Sequence, residues 1–208
     1  RKNGQETSEL DWASIFSCMN KIRTELKEHF PYRVIHLEGC EADDSIGCLV
    51  NTFHETDNIL ILSGDKDFNQ LHYDSVKQYD PVRKKFISCL NPEQYLEEHI
   101  LRGDRGDGIP NVLSDSDTFV LGKRQKTLTQ KKLDVLKNTS ITGKFDHPLW
   151  RNYMRNTVLI DLARTPDELK KKIIDSYEEQ SNKTGSKLMD YFMANRLKNL
   201  IEYMGDFV

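Results

Sequence analysis

At 208 residues, 30 % of them charged and with a mean hydropathy of −0.66, the chain can bury a real core and contains no apolar run able to span a membrane. Its net charge of −3 argues against a generic polyanion binder, unless clustered acids are offset by cations and basic patches elsewhere stay free for phosphates. The four cysteines (Cys18, Cys40, Cys48 and Cys89) lack C-x-x-C spacing and sit among apolar residues, which predicts reduced, buried thiols in a cytosolic protein. The six histidines contain no H-x-x-x-H pair, which argues against zinc. No signal peptide is visible, so the Asn138 and Asn182 sequons read as chance matches. A start at Arg1 rather than Met predicts a fragment or a processed form.

Arg1 to Thr7 is polar and reads as loose, with Ser8 a helix cap. Trp12, Ile15, Phe16, Met19, Ile22, Leu26 and Phe30 then form one apolar stripe, which predicts a scaffold helix packed on the core, stopped by Pro31. Two short apolar runs follow, Val34-Ile35-His36-Leu37 and Ile59-Leu60-Ile61-Leu62. Between them Ala42, Ile46, Leu49, Val50 and Phe53 recur with helical spacing, so the stretch reads as a βαβ unit with parallel strands.

Acids follow each run. Glu41, Asp43 and Asp44 come after the first, Asp65 and Asp67 after the second. Ligands of open parallel sheets bind beyond the carboxyl ends of the strands, so both clusters are expected on one edge. Like charges held together are costly unless a cation neutralises them, and Mg²⁺ takes oxygen ligands of this kind. On a helix Glu41 and Asp44 would lie roughly 60° apart and share a face, with Asp43 pointing toward a second ion or water. The bland alternative is that Asp43 and Asp44 complement a helix dipole and Ser63 to Asp67 is a polar turn.

Further on, Val76 to Tyr79 and Lys84 to Cys89 read as two strands around Asp80-Pro81. Asn91-Pro92 caps a helix with Tyr95, Leu96, Ile100 and Leu101 inward. It ends in the glycine-rich turn Gly103 to Asn111, where Asp104 and Asp107 add two carboxylates and exposed amides suit phosphate-backbone contact. Leu113 to Ser140 reads as polar and irregular and carries Lys123, Arg124, Lys126, Lys131, Lys132 and Lys137, a solvated face or a duplex-phosphate surface. Trp150, Tyr153, Met154 and Val158 predict another apolar helix stripe. Thr165-Pro166-Asp167-Glu168 is a capping box, and Leu188 to Met204 suggests a closing helical hairpin.

Three segments, Glu41-Ala42-Asp43-Asp44, Ser63-Gly64-Asp65-Lys66-Asp67-Phe68 and Gly103-Asp104-x-x-Asp107-Gly-Ile-Pro-Asn, in this order and spacing, resemble signatures of the flap endonuclease (5′-nuclease) family. Val112 to Phe119 and the helical tail are most similar to its T-even-type bacteriophage ribonuclease H branch. The resemblance covers nearly the whole chain. It implies an α/β fold with a PIN-like, mostly parallel sheet flanked by helices over 1–90, then a helical DNA-binding (helix–turn–helix) and C-terminal region over 91–208. It implies a Mg²⁺-dependent 5′ nuclease, with two ions (Mn²⁺ as a substitute) held by Glu41, Asp43, Asp44, Asp65, Asp67, Asp104 and Asp107. All of these except Asp104 are also expected to be catalytic. DNA contacts are implied at Lys66, Arg105, Gly106, Gly108, Asn111, Lys123, Arg124, Lys126, Lys131 and Lys132. The implied substrate is a DNA or RNA–DNA duplex with a 5′ end or flap, as in primer removal during phage DNA replication. A single-strand-binding protein and a sliding clamp are implied partners. A monomer in the cytoplasm of an infected host, away from membranes, is expected.

The family pattern begins with a further strand, two more aspartates and a basic arch, none of which is present here, so activity of this chain alone stands in question. Two rivals remain at this point. A Toprim-type phosphotransfer domain also places a Glu after one strand and D-x-D after another, but does not require Asp104 and Asp107. A non-catalytic, structure-specific DNA-binding protein could keep the same fold.

Overall fold

The computed structural model describes residues 10–141 and 147–207. The cap expected at Ser8 lies outside them. Instead Asp11 opens helix α1 (Trp12–His29), accepting from the Ser14 amide at 3.1 Å. The chain divides into two compact units, 39–170 and 1–38 with 171–208.

The larger unit is mixed α/β. Helix α2 (Ala42–Phe53) precedes strand β1 (Ile59–Leu62), and a 3-10 turn over Asp67–Leu71 leads to strands β2 (Val76–Asp80) and β3 (Lys85–Ile87). The sheet order is β1-β2-β3. The first pair is parallel, with Ile61 opposite Gln78, and the second antiparallel. One core joins Val50, Ile61, Phe68, Leu71 and Val76 with Ile46, Ile59 and Leu162 around them. Burying each large apolar side chain there contributes roughly 1.5–3 kcal/mol.

Helix α3 (Pro92–Arg102) starts as its sequence dictates. Asn91 accepts from the Gln94 amide at 2.9 Å, and proline occupies the first turn, where no amide is needed. Helices α4 (Gln130–Ile141) and α5 (His147–Ile160) follow, and Leu101, Val112, Leu133 and Leu136 form a second core. Helix α4 corrects the irregular reading of Leu113 to Ser140. Within the described residues only Leu133 and Leu136 are buried on it, three apart, so its apolar signal is short.

The buried face of α5 corrects a second expectation. Trp150 and Val158 are exposed, and Asn152, Asn156, Thr157 and Ile160 point inward instead. The asparagines are buried because carbonyls in the last turn of α3 and in the segment after it need donors. Asn156 Nδ2 donates to the Ile100 and Pro110 carbonyls at 2.7 and 3.0 Å, and Asn152 Nδ2 to those of Val112 and Ser114 at 2.9 and 3.1 Å.

In the smaller unit, helix α6 (Asp167–Glu178), which starts in the larger unit, is followed by α7 (Leu188–Ala194) and α8 (Lys198–Ile201). Phe30 meets the rings of Tyr191, Phe192 and Phe207 at 5.7 to 5.9 Å. Val34 to Leu37 is not the expected first strand. The Gln180 amide side chain takes the place of a neighbouring strand, accepting from the Val34 amide at 3.0 Å and donating to its carbonyl at 3.2 Å. The α1 stripe is corrected too. Trp12, Phe16, Met19 and Ile22 are about half exposed, and the helix holds on through its last turns, around Leu26 and Phe30. Of the cysteines only Cys48 is buried, and all four are unpaired.

Candidate active site

The three acid segments converge. Asp43, in the first turn of α2, has its carboxyl pushed up by burial and then by the charges of Asp65 and Asp67. Asp67 is raised by burial, opposed by His99, and raised further by Asp65, Asp104 and Asp107. Asp43 thus senses the second segment and Asp67 the third, and the second and third segments line a cleft of about 720 Å³ through Asp65, Asp67, Asp104 and Asp107, together with Lys66, Tyr95, Glu98, His99 and Arg102.

The helical-face argument for Glu41 and Asp44 does not hold. Glu41 is the N-cap, with extended φ −87° and ψ 163°, and therefore stands outside the helix. Asp44 accepts from the Glu41 amide at 3.0 Å with Oδ2 and from the Thr165 hydroxyl at 3.0 Å with Oδ1. Both its oxygens are thus engaged within the protein, and Asp43 is raised by the second cluster.

Asp65 and Asp67 follow β1 directly. Ser63 Oγ accepts from the Asp65 amide at 3.1 Å and Asp65 Oδ1 from the Asp67 amide at 3.1 Å, so the turn is built from its own side chains. The glycine-rich turn works likewise. Asp104 Oδ1 accepts from the amides of Gly106 at 2.6 Å and Asp107 at 3.3 Å. Burial works to raise the Asp104 carboxyl, but these amides and His99 outweigh it and hold the group below its ordinary range. Gly103 has φ +66°, and a Cβ there would collide with the Ile109 carbonyl oxygen, so only glycine fits.

His99 was missed by the sequence reading. It lies one helical turn after Tyr95, and Arg102 continues the same side of α3 into the cleft. That second stripe, polar and ending at the acid turn, was the available signal. His99 Nε2 lies 3.3 Å from Asp104 Oδ2, within donating reach. Nδ1 lies 3.7 Å from Asp67 Oδ1 and is buried with no hydrogen-bond partner among the described residues. Ligand atoms of Asp67, His99 and Asp104 lie within 4.8 Å of one another, a spacing able to hold a metal ion. The Tyr95 hydroxyl is pushed up to about 12, chiefly by burial and then by the Asp67 charge, so it stays protonated.

A second cleft of about 800 Å³ is basic, lined by Arg102, Arg105, Lys123, Arg124 and Lys126. Arg105, Gly106, Gly108, Lys131 and Lys132 are exposed. Lys123 meets Asp117 at 3.6 Å, and Lys132 donates to the Thr127 carbonyl at 3.3 Å. Asn111 differs from expectation: it is buried and its side chain is spent internally. Nδ2 donates to the Lys126 carbonyl at 2.8 Å, and Oδ1 accepts from the Leu113 amide at 3.1 Å and the Ser114 hydroxyl at 2.9 Å. Its place is to pin the basic loop onto the glycine turn. No helix among the described residues is long and apolar enough to cross a membrane.

Two family models match the chain: the N-terminal resolvase-like domain of 5′-3′ exonucleases over residues 14–100, and the C-terminal part of T4 RNase H over residues 91–207. Ribonuclease H of Enterobacteria phage T4 is 32 % identical over 216 residues, which take in 100 % of this chain and 71 % of that protein. DNA polymerase I of Thermus filiformis is 31 % identical over 147 residues, 63 % of this chain and 17 % of the polymerase. Among solved structures, a mutant T5 5′-exonuclease superposes with a TM-score of 0.59 at 18 % identity, covering 80 % of this chain and 76 % of that one. A T5 flap endonuclease pseudo-enzyme–product complex with DNA and metal ions does so with a TM-score of 0.55 at 19 % identity, covering 86 % and 72 %. These two likenesses concern the fold.

Proposed function

The chain belongs to the 5′-3′ exonuclease family, and from that premise we propose that it is a divalent-cation-dependent, structure-specific 5′ nuclease acting on duplexes with a 5′ end or flap. Membership sets aside the Toprim alternative. One observation carries the reading. Asp43 is raised by burial and then by Asp65 and Asp67 of the second segment, and Asp67 by burial and, against His99, by Asp65, Asp104 and Asp107, a repulsion that bound cations would relieve. The buried, unpartnered Nδ1 of His99 beside Asp67 fits the same conclusion.

Glu41, Asp43, Asp65, Asp67, Asp104 and Asp107 are the residues that would hold Mg²⁺ or Mn²⁺; hard oxygen donors in this number suit those ions. When bound, a pair of such ions supplies water activation and charge neutralisation at the leaving oxygen. The chain's own groups do the rest. His99 reaches Asp104 through Nε2 and faces Asp67 with Nδ1, while Lys66 and Arg102 place positive charge at the cleft for a phosphate. Protonated Tyr95 adds a neutral wall to the cleft. Arg105, Lys123, Arg124 and Lys126 in the second cleft, with the exposed amides of Gly106 and Gly108, would grip the duplex backbone without reading sequence. Removal of RNA primers during phage replication, beside a single-strand-binding protein and a clamp, is the setting that fits such a substrate.

The test is cleavage of a 5′-labelled flap duplex with Mg²⁺ and with EDTA, beside Asp65→Asn. Mg²⁺-dependent cutting near the junction, lost in the variant, is the expected result. Duplex binding without cutting would instead favour the non-catalytic reading.

A further inference from the structure

Gln78 is the centre of a buried polar chain that none of the roles above uses. It lies on β2 and is fully buried, with Val76 and Asp80 as the other buried residues of that strand. A wholly buried glutamine in a strand is expensive unless every polar atom finds a partner. Here each does. Nε2 donates to the Ser63 carbonyl at 2.8 Å and to the Asp65 carbonyl at 2.6 Å. Oε1 lies 2.9 Å from His72 Nε2.

The direction of every bond follows from one fixed donor. The Cys89 backbone amide donates to His72 Nδ1 at 3.0 Å, so Nδ1 is the acceptor and Nε2 carries the proton. His72 Nε2 then donates to Gln78 Oε1, which turns the Gln78 amino group toward the two carbonyls. The carbonyls belong to the turn that leaves β1 and bears Asp65 and Asp67, beyond the last β1–β2 pair, Leu62 with Tyr79. Gly64, between them, lies so close to Asp80 that an added Cβ would stand 2.8 Å from its carboxylate oxygen. The acid-bearing turn therefore rests on polar side chains of β2, and its height above the sheet is set by Gln78.

We infer that Gln78, oriented by His72, is a positioning residue that pre-sets the Asp65–Asp67 turn for cation binding. This rests on the reading that these acids hold divalent ions. Gln78 touches neither cation nor substrate; it acts through the Ser63 and Asp65 carbonyls. Groups supporting metal ligands in this way are worth on the order of 10- to 100-fold in metal affinity.

The experiment is Mn²⁺ binding to the protein, followed by the loss of free-Mn²⁺ electron paramagnetic resonance signal, for wild type, Gln78→Met, His72→Phe and Asp65→Asn. Gln78→Met keeps the length and removes the donors. The expected result is a dissociation constant raised on the order of tenfold with unchanged stoichiometry, and a smaller rise for His72→Phe. Unchanged stoichiometry separates positioning from unfolding, which would remove sites rather than weaken them. Wild-type affinity in a folded Gln78→Met overturns the inference while Asp65→Asn still weakens binding. Wild-type affinity in Asp65→Asn as well overturns the metal reading itself. Should Gln78→Met not fold, the Gln78 side-chain amide protons of the wild type decide. Slow exchange, with a resonance shift on adding Mg²⁺, supports the inference; rapid exchange or no Mg²⁺ response overturns it.

Discussion

His99 Nε2 stands 3.3 Å from Asp104 Oδ2, so the last turn of α3 is tied to the glycine-rich acid turn through an imidazole. The same ring faces Asp67 at 3.7 Å, on the turn after β1. The ring thus lies between two acid segments distant in sequence. Replacing His99 by Leu removes a hydrogen bond to a charged group and leaves the two carboxylates facing each other. A stability loss of about 1–3 kcal/mol is expected, read by urea denaturation of the metal-free protein. Added Mg²⁺ should recover part of it.

Asp43 gives a prediction of opposite sign. Its folded pKa lies above the ordinary 3.8, so in the metal-free protein the ionised carboxylate destabilises the fold. That cost is absent below 3.8 and develops fully as pH rises through the folded value. Asp43→Asn should therefore raise the metal-free Tm at neutral pH and leave it unchanged well below 3.8. It should also reduce the rise in Tm that Mg²⁺ gives the wild type. Differential scanning calorimetry at two pH values, with and without Mg²⁺, measures both effects.

The turn after α3 depends on Gly103. A methyl group there meets the Ile109 carbonyl oxygen and lies 2.7 Å from the Pro110 carbonyl carbon, in a left-handed backbone conformation. Gly103→Ala should cost about 1–3 kcal/mol. Because Asp104 follows it directly, metal affinity should fall alongside Tm. An unshifted melting curve would show that the turn has no such constraint.

Duplex grip by the basic cleft is testable through salt. Removing one cationic side chain that neutralises a phosphate lowers the slope of log K against log salt by about one. Lys126→Ala and Arg124→Ala should each do so, weakening binding equally for unrelated sequences, as measured by fluorescence anisotropy. Asn111→Ala should weaken binding through Tm instead, since its side chain pins the Lys126 carbonyl rather than facing outward.

Much of the site was legible because strand ends follow from simple runs. Ile59 to Leu62 is a strand, so Asp65 and Asp67 fall at its carboxyl end, and Asn91-Pro92 marks the start of α3. What misled was the assumption that acids near a helix lie on it. Glu41 is a cap in extended conformation, and Asp44 is engaged by the Glu41 amide and the Thr165 hydroxyl. Buried polar residues were the least readable. Gln78, Asn111, Asn152 and Asn156 look like surface residues by type, yet each is buried to satisfy carbonyls or amides that only the fold brings near. The stripe of α1 shows the converse: apolar spacing reports a helix, but it does not say which element covers it.

The central claim, that three acid segments form one cation site, is tested most directly by Mn²⁺ relaxation enhancement in ¹H–¹⁵N spectra. The amide signals of Asp43, Asp67 and Asp107 should broaden together at the same sub-stoichiometric Mn²⁺, and all three should be spared in Asp65→Asn. Broadening of one segment without the others, or broadening unaffected by that substitution, would contradict the account.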